Sequence, residues 1–341
     1  MSWTQCLRRQ IWQPLLVALL SLGMPVQAQT QTGVAPASQA EARIWLTRIH
    51  DAAKNANFHG VMIFTANGLL SSSRVWHYYA GDQTYERLET LDGRQQHIVR
   101  HNDTVQTLWP ASRVGVIEKR ETLAGWSTTP QSVEPQALEQ YELRREGISR
   151  VAGREAAVLL LEPRDALRYA LRLWADLASG LMLRADVLGS APARGVLEST
   201  GFSQVEIGVK PQPELVLKAM RKLDGYRLSR PQQQRTTLDA EGWALARPVP
   251  GFHLSGCVRR GMEVSGSDGS VLQAVFTDGL THVSLFAEPY KPEHNRTEMQ
   301  AQQGATATLM QRRGEHWVTA VGDVPPATLK LFADSLDRIR P

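Results

Sequence analysis

Between residues 168 and 207 apolar and polar positions alternate with a period of two, the pattern of strands with one face buried. Tyr169, Leu171 and Leu173 fall on one side and Arg168 and Arg172 on the other. After the small and polar residues 176–180, Leu181, Leu183, Ala185 and Val187 resume the alternation against Met182, Arg184 and Asp186. A second break at 189–195 precedes a third run, 196–207. Nothing between the runs is long enough to be a crossover helix, so the pattern predicts an antiparallel meander.

The same short spacing governs the chain upstream. Ser38-Gln-Ala-Glu41 fits a capping box, and Ala42, Trp45, Ile49, Ala52, Ala53 and Ala56 recur at helical spacing, which predicts one opening helix. Strands are expected at 61–66, around 74–79, and at 85–91, 95–100 and 104–109, with turns at Asn67-Gly68, Asp92-Gly93 and Asn102-Asp103. The pattern weakens over 123–146, where a short helix near 137–141 is expected, and strands return at 148–151 and 154–162.

Past residue 209 the strand pattern stops. Lys210-Pro-Gln-Pro213, a basic stretch of about two helical turns at 215–223 and the polar run 230–235 read as a linker spanning 210–235. It separates an N-terminal domain, 38–209, from a smaller C-terminal α+β domain, 236–341. Lys218, Arg221, Lys222, Arg227, Arg230 and Arg235 make the linker positive, either as a solvated segment or as a face for an acidic partner or lipid head groups. In the C-terminal part, strands are expected at 252–257, 271–276, 281–286, 306–311 and 316–321, with a polar, mobile excursion at 289–304. A terminal helix opened by Pro325 and Pro326 carries Leu329, Phe332, Ala333, Leu336 and Ile339 as its apolar stripe.

The first residues change the picture of where the protein works. Arg8 and Arg9, an apolar run over 15–24 and Val26-Gln27-Ala28 have the form of a secretory signal peptide, residues 1–28, so export to the periplasm is expected. Cys6 would leave with it. Cys257 alone remains, and the exported chain must hold by packing without an intramolecular disulfide. With 42% hydrophobic and 21% charged residues and a net charge of +4, the composition is that of a globular protein and carries no nucleic-acid-binding face.

Candidate chemistry is sparse. His97 and His101 have the spacing that joins two imidazoles on a helix, but on a strand they stand about 13 Å apart, so no metal is expected. Cys257 and His253 lack any signalled oxyanion or orienting group. The sequence has no G-x-S-x-G elbow, no phosphate-binding loop and no dinucleotide fingerprint, so no cofactor and no catalytic residue is expected. The aromatic content of the N-terminal sheet is more informative. Met62, Phe64, Trp76, Tyr78, Trp109 and Trp174 are candidates to line an apolar hollow under the helix, fit for acyl chains or a partner's hydrophobic segment; core packing accounts for each of them equally well.

Several segments, in this order, resemble the RseB/MucB family of periplasmic regulators of the envelope-stress sigma-E factor. They are Glu86-Arg-Leu-Glu-Thr-Leu-Asp-Gly93, Arg150-Val-Ala-Gly-Arg154, Arg168-Tyr-Ala-Leu-Arg-Leu-Trp-Ala-Asp176, Thr277-Asp-Gly-Leu280 with Ser284-Leu-Phe-Ala-Glu-Pro289, and Val321-Gly-Asp-Val-Pro-Pro326. The resemblance implies a LolA/LolB-like antiparallel half-barrel with helical cover, followed by the smaller α+β domain. It also implies binding to the periplasmic region of a membrane-spanning anti-sigma factor (RseA/MucA), protection of that factor from regulated proteolysis, and lipopolysaccharide or another lipid as the releasing signal. Two other classes stay open: a periplasmic lipid or lipoprotein carrier, and a hydrolase with a scattered site. Self-association of the chain stays open as well.

Overall fold

The computed structural model describes residues 38–119, 135–190, 194–262, 269–292 and 296–339. The expected signal peptide and the part of the weakly patterned stretch between 120 and 134 lie outside these residues. Helix α1 (Gln39–Asn55) begins where the capping signal places it: Glu41 N donates to Ser38 Oγ at 3.1 Å. Its apolar stripe, Ala42, Trp45, Leu46, Ile49 and Ala52, is buried.

Six strands follow as a meander: β1 (Phe58–Ala66), β2 (Leu69–Ala80), β3 (Gln83–Thr90), β4 (His97–His101), β5 (Thr104–Trp109) and β6 (Val114–Lys119). The Asn67-Gly68 turn between β1 and β2 has φ of 50° and 75°, the left-handed pair that a tight hairpin requires. After a short 3-10 turn (Pro135–Glu139) come β7 (Tyr141–Val151), β8 (Arg154–Pro163), β9 (Ala170–Asp176), β10 (Met182–Leu188) and β11 (Val196–Ile207). Strand β11 pairs antiparallel with β1, which joins the two meanders into one sheet. At Gly60 the β11 backbone comes so close that a Cβ would collide with the Gln204 carbonyl oxygen.

Helix α2 (Pro213–Arg221) then leads into β12 (Arg227–Ser229), which pairs in parallel with β6, and β13 (Gln233–Arg235), which pairs with β15 (His253–Met262). Between them in sequence lies β14 (Trp243–Leu245). The remaining strands are β16 (Gly269–Thr277), β17 (His282–Pro289), β18 (Met299–Gln303), β19 (Thr306–Arg313) and β20 (His316–Gly322), followed by α3 (Pro326–Ser335) and β21 (Leu336–Arg338). The larger sheet has twelve strands in the order β12-β6-β5-β4-β3-β2-β1-β11-β10-β9-β8-β7. The smaller has seven, β13-β15-β16-β17-β20-β19-β18, with β14 and β21 as a separate pair. The protein is α+β with a large open sheet.

Four local expectations need correction. Strand β6, with Gly115 packed between Leu108 and Leu228, has too little apolar alternation to be read from sequence. The stretch read as a linker holds, besides the expected helical turns, β12 and β13, each too short to show a period. Residues 289–304, read as a polar excursion, contain β18, whose side chains are all exposed and so carry no hydrophobic signal. Helix α3 ends at Ser335: Leu336 is buried as the start of β21, and Ile339 is 48% exposed instead of completing the stripe.

Candidate functional site

Antiparallel register decides which candidate residues share a surface, because directly opposed residues project from the same face. Met62 and Phe64 pair with Ser73 and Ser71 on β2, and Phe64 pairs with Thr200, which in turn faces Ala185 on β10. Ala185 packs with the buried stripe of α1. Met62 and Phe64 therefore belong to the α1 face. Following the ladder from Val75 through Leu88, Ile98 and Thr107 puts Trp109 on that face too, far across the sheet, with the Arg94 guanidinium 5.8 Å from its ring.

Trp76 and Tyr78 alternate with Val75 and His77 and project from the opposite face. There Tyr78, Tyr85 and Val99 are buried under Val216 of α2, with Trp76 and Leu215 packed alongside. Trp174 pairs with Arg184, Arg184 with Gly201 and Gly201 with Ile63, so Trp174 shares the α2 face. Register thus assigns three of the six residues to each face without gathering them: Trp109 lies far across the sheet, and Trp174 belongs to the cluster of Met62 and Ala52, apart from Trp76 and Tyr78. Tyr78 and Trp174 are buried; Trp76 is half-buried, with Arg87 5.2 Å and Arg74 6.0 Å from its ring centroid. His97 and His101 both lie on β4, and His101 stacks on Tyr85.

Composition and motifs gave no sign of the second feature, a set of contacts where the smaller sheet meets the larger. The β16–β17 turn inserts Leu280 into the core beneath α1, and the β18–β19 turn inserts Ala305. Beside Leu280, Arg168 and Asp278 form an ion pair whose side chains are both 0% exposed, with Arg168 Nε donating to Asp278 Oδ2 at 2.7 Å. The other guanidinium nitrogens donate to Asp165 and to the Pro250 carbonyl, and the plane lies 4.6 Å from the Phe252 ring centroid. Asp278 Oδ1 accepts from the amides of Leu280 and Thr281, and Tyr141 donates to Oδ2 at 3.3 Å. Burial, followed by the Asp278 charge, holds the Tyr141 hydroxyl well above its ordinary range, so it stays protonated and serves as a donor. Gly251, at φ 74°, is required here, since a Cβ would run into Arg168 and Gln140.

Two further bridges cross the same boundary. Arg260 on β15 donates to Glu118 on β6 at 2.8 Å, beside the β12 and β13 strands, and Thr328 Oγ1 on α3 donates to the Leu167 carbonyl at 2.9 Å. No helix of the described residues is long and apolar enough to cross a membrane, and no group of three or more metal-ligating side chains occurs among them.

With this geometry in hand, comparison with known proteins is informative. Residues 41–220 match the family model described as MucB/RseB N-terminal domain, and 237–337 match MucB/RseB C-terminal domain. The chain is 30% identical over 310 residues to the sigma factor AlgU regulatory protein MucB of Pseudomonas aeruginosa, covering 88% of this chain and 92% of that protein. It is 24% identical to the sigma-E factor regulatory protein RseB of Haemophilus influenzae, over 93% of this chain and 96% of the relative. Among solved structures, the P. aeruginosa MucA/MucB complex contains a chain that superposes with a TM-score of 0.65 at 27% identity, covering 88% of this chain and all of that one. Matched along both sheets by its two family models, the chain belongs to the MucB/RseB family.

Proposed function

We propose that this protein is a periplasmic regulator that binds the periplasmic region of a membrane-spanning anti-sigma factor and shields it from regulated proteolysis, restraining the sigma-E response. The observation that carries this reading is the similarity, over nearly the whole chain, to MucB, a protein solved in complex with MucA. The expected signal peptide supports export, and the α+β build with two sheets supports a binding role. In this reading residues 38–209, which supply all of the larger sheet except β12, form a LolA/LolB-like half-barrel, and residues 236–341 form the second domain, with 210–235 connecting them. The apolar hollow takes a lipid, such as lipopolysaccharide, that acts as the releasing signal. Met62, Phe64, Trp76, Tyr78, Trp109 and Trp174 are the candidate lining, in the two groups set by the register. Regulation then works by differential binding: the lipid-bound state must hold the anti-sigma factor less tightly than the free state.

The test is capture of the purified exported chain by the immobilised periplasmic region of the anti-sigma factor from the same organism, followed by challenge with the site-one protease. Saturable binding that slows cleavage of the anti-sigma factor is expected. Absence of binding, or binding that leaves cleavage unchanged, would remove the reading.

A further inference from the structure

The contacts between the two sheets are unequal. At Arg168 the charge is paired and each of the three guanidinium nitrogens has an acceptor. At the other end of the boundary, Glu198 of β11 is 3% exposed, and no basic side chain among the described residues is ion-paired with it. Its one hydrogen bond from the smaller sheet is long, from Ala305 N at 3.5 Å. The β18–β19 turn presses directly on it: a Cβ at Gly304 would stand 2.9 Å from Ala66 Cβ and 3.1 Å from Glu198 Oε2. A second carboxylate, Asp323, faces it from the segment after β20. Asp323 Oδ1 accepts from Thr306 Oγ1 at 2.6 Å and brings no positive charge.

The remaining neighbours do not compensate the pair. The register partners of Glu198, Ala66 on β1 and Val187 on β10, are apolar. Tyr169 accepts a hydrogen bond from Gln302 of β18 at 3.2 Å, and burial followed by the Asp323 charge raises its hydroxyl, so it remains neutral. His282 stands one position beyond the Val283–Gly322 pair that ends the β17–β20 ladder, next in the chain to Val283.

We propose that Glu198 is an acid-sensitive latch between the two sheets, closed when its carboxyl is protonated under the β18–β19 turn and loosened when it is ionised beside Asp323, with the Arg168–Asp278 pair as the fixed pivot. A buried carboxyl that faces a second carboxylate and no cation holds a proton that it would release in water. Burial, then the Asp323 charge, raises Glu198 to about 7. In an opened state Glu198 would be solvated and titrate near its usual value of about 4.3. The raised value belongs to the closed state, so closure is favoured fully below the open-state value. It weakens as pH rises between the two values and stays at its weakest above about 7. The latch lies between the two sheets, and its readout does not depend on the proposed partner-binding reading.

The measurement is amide hydrogen exchange of the full exported chain between pH 5 and pH 8, corrected for intrinsic exchange rates. It is followed in peptides covering the 304–306 turn and the 278–281 turn. Opening at 304–306 should rise by about tenfold per pH unit up to about pH 7, while 278–281 stays protected. Glu198→Gln should hold the latch turn closed at pH 8, and Asp323→Asn, by removing a charge that raises Glu198, should make the rise level off at lower pH and so reduce the opening reached at pH 8. A flat wild-type profile would overturn the proposal. So would a Glu198→Gln protein that keeps the wild-type pH response, which would assign the titration to another group. If Glu198→Gln fails to fold, an Asp323→Asn profile identical to wild type decides against the latch.

Discussion

Arg168 has three acceptors on three segments, Asp165, Asp278 and the Pro250 carbonyl, and it can serve them together because a guanidinium presents its donors in a fixed planar fork. A buried ion pair adds little net stability when complete, since desolvation offsets most of the attraction. Losing one partner is different. Arg168→Met would leave Asp278 charged in a fully buried place, and the expected cost is about 3–5 kcal/mol. Arg168→Lys should recover only part of this, because one ammonium cannot span the three acceptors. Chemical denaturation of the three proteins checks both statements; a loss below about 1 kcal/mol for Arg168→Met would show that the pair is dispensable. In the sequence Arg168 reads as the polar side of a strand; in the structure it stands in the bend before β9, with its side chain fully buried. Its partner lies 110 residues away, and no local pattern reports a contact between separate sheets.

At the scale of elements, legibility followed periodicity. Helix α1 was readable because a cap, an acidic third position and an apolar stripe agree, and the hairpin at Asn67-Gly68 because that dipeptide supplies two left-handed residues. Strands β9 to β11 stood out because their sequence alternates, although β9 and β10 are buried on both faces and only β11 alternates in burial. The three-residue β12, β13, β14 and β21 are shorter than any detectable period, and β18 buries none of its side chains. The candidate lining was legible as a set of aromatic residues, but the division into two faces was not, since it depends on which strands pair and where the bulge at Val61/Met62 falls. The cap of α1 gives a simple check of the element-level reasoning. Ser38→Ala removes the acceptor for Glu41 N at an exposed site, and a destabilisation of about 1 kcal/mol is expected in equilibrium unfolding, with Ser38→Asp close to wild type. Equal stability of wild type and Ser38→Ala would mean that packing of Trp45, Leu46 and Ile49 alone fixes the helix start.

For the whole molecule, a releasing signal requires that lipid and anti-sigma factor disfavour each other's binding, and a tenfold effect needs only about 1.4 kcal/mol of coupling. The division of the candidate lining makes the origin of that coupling separable. On the α1 face Phe64 lies on the same side as the core into which Leu280 and Ala305 insert. On the α2 face Trp76 has Arg74 and Arg87 over its ring, and the exposed Lys218 and Arg221 of α2 lie on the helix that covers this face. A lipid carrying phosphates is better matched to the second face, where an apolar surface and cations occur together. Trp76→Asp is therefore expected to weaken the response to lipopolysaccharide fragments by tenfold or more while leaving lipid-free partner binding within about twofold; Phe64→Asp should spare the response in any variant that still folds. Titrating the fragments into the preformed complex, with partner release followed by fluorescence anisotropy, measures both quantities at once. A response lost in Phe64→Asp and kept in Trp76→Asp would move the lipid to the α1 face. Unchanged partner affinity at saturating fragment would remove lipid as the signal, because a ligand bound equally by both states shifts no equilibrium between them.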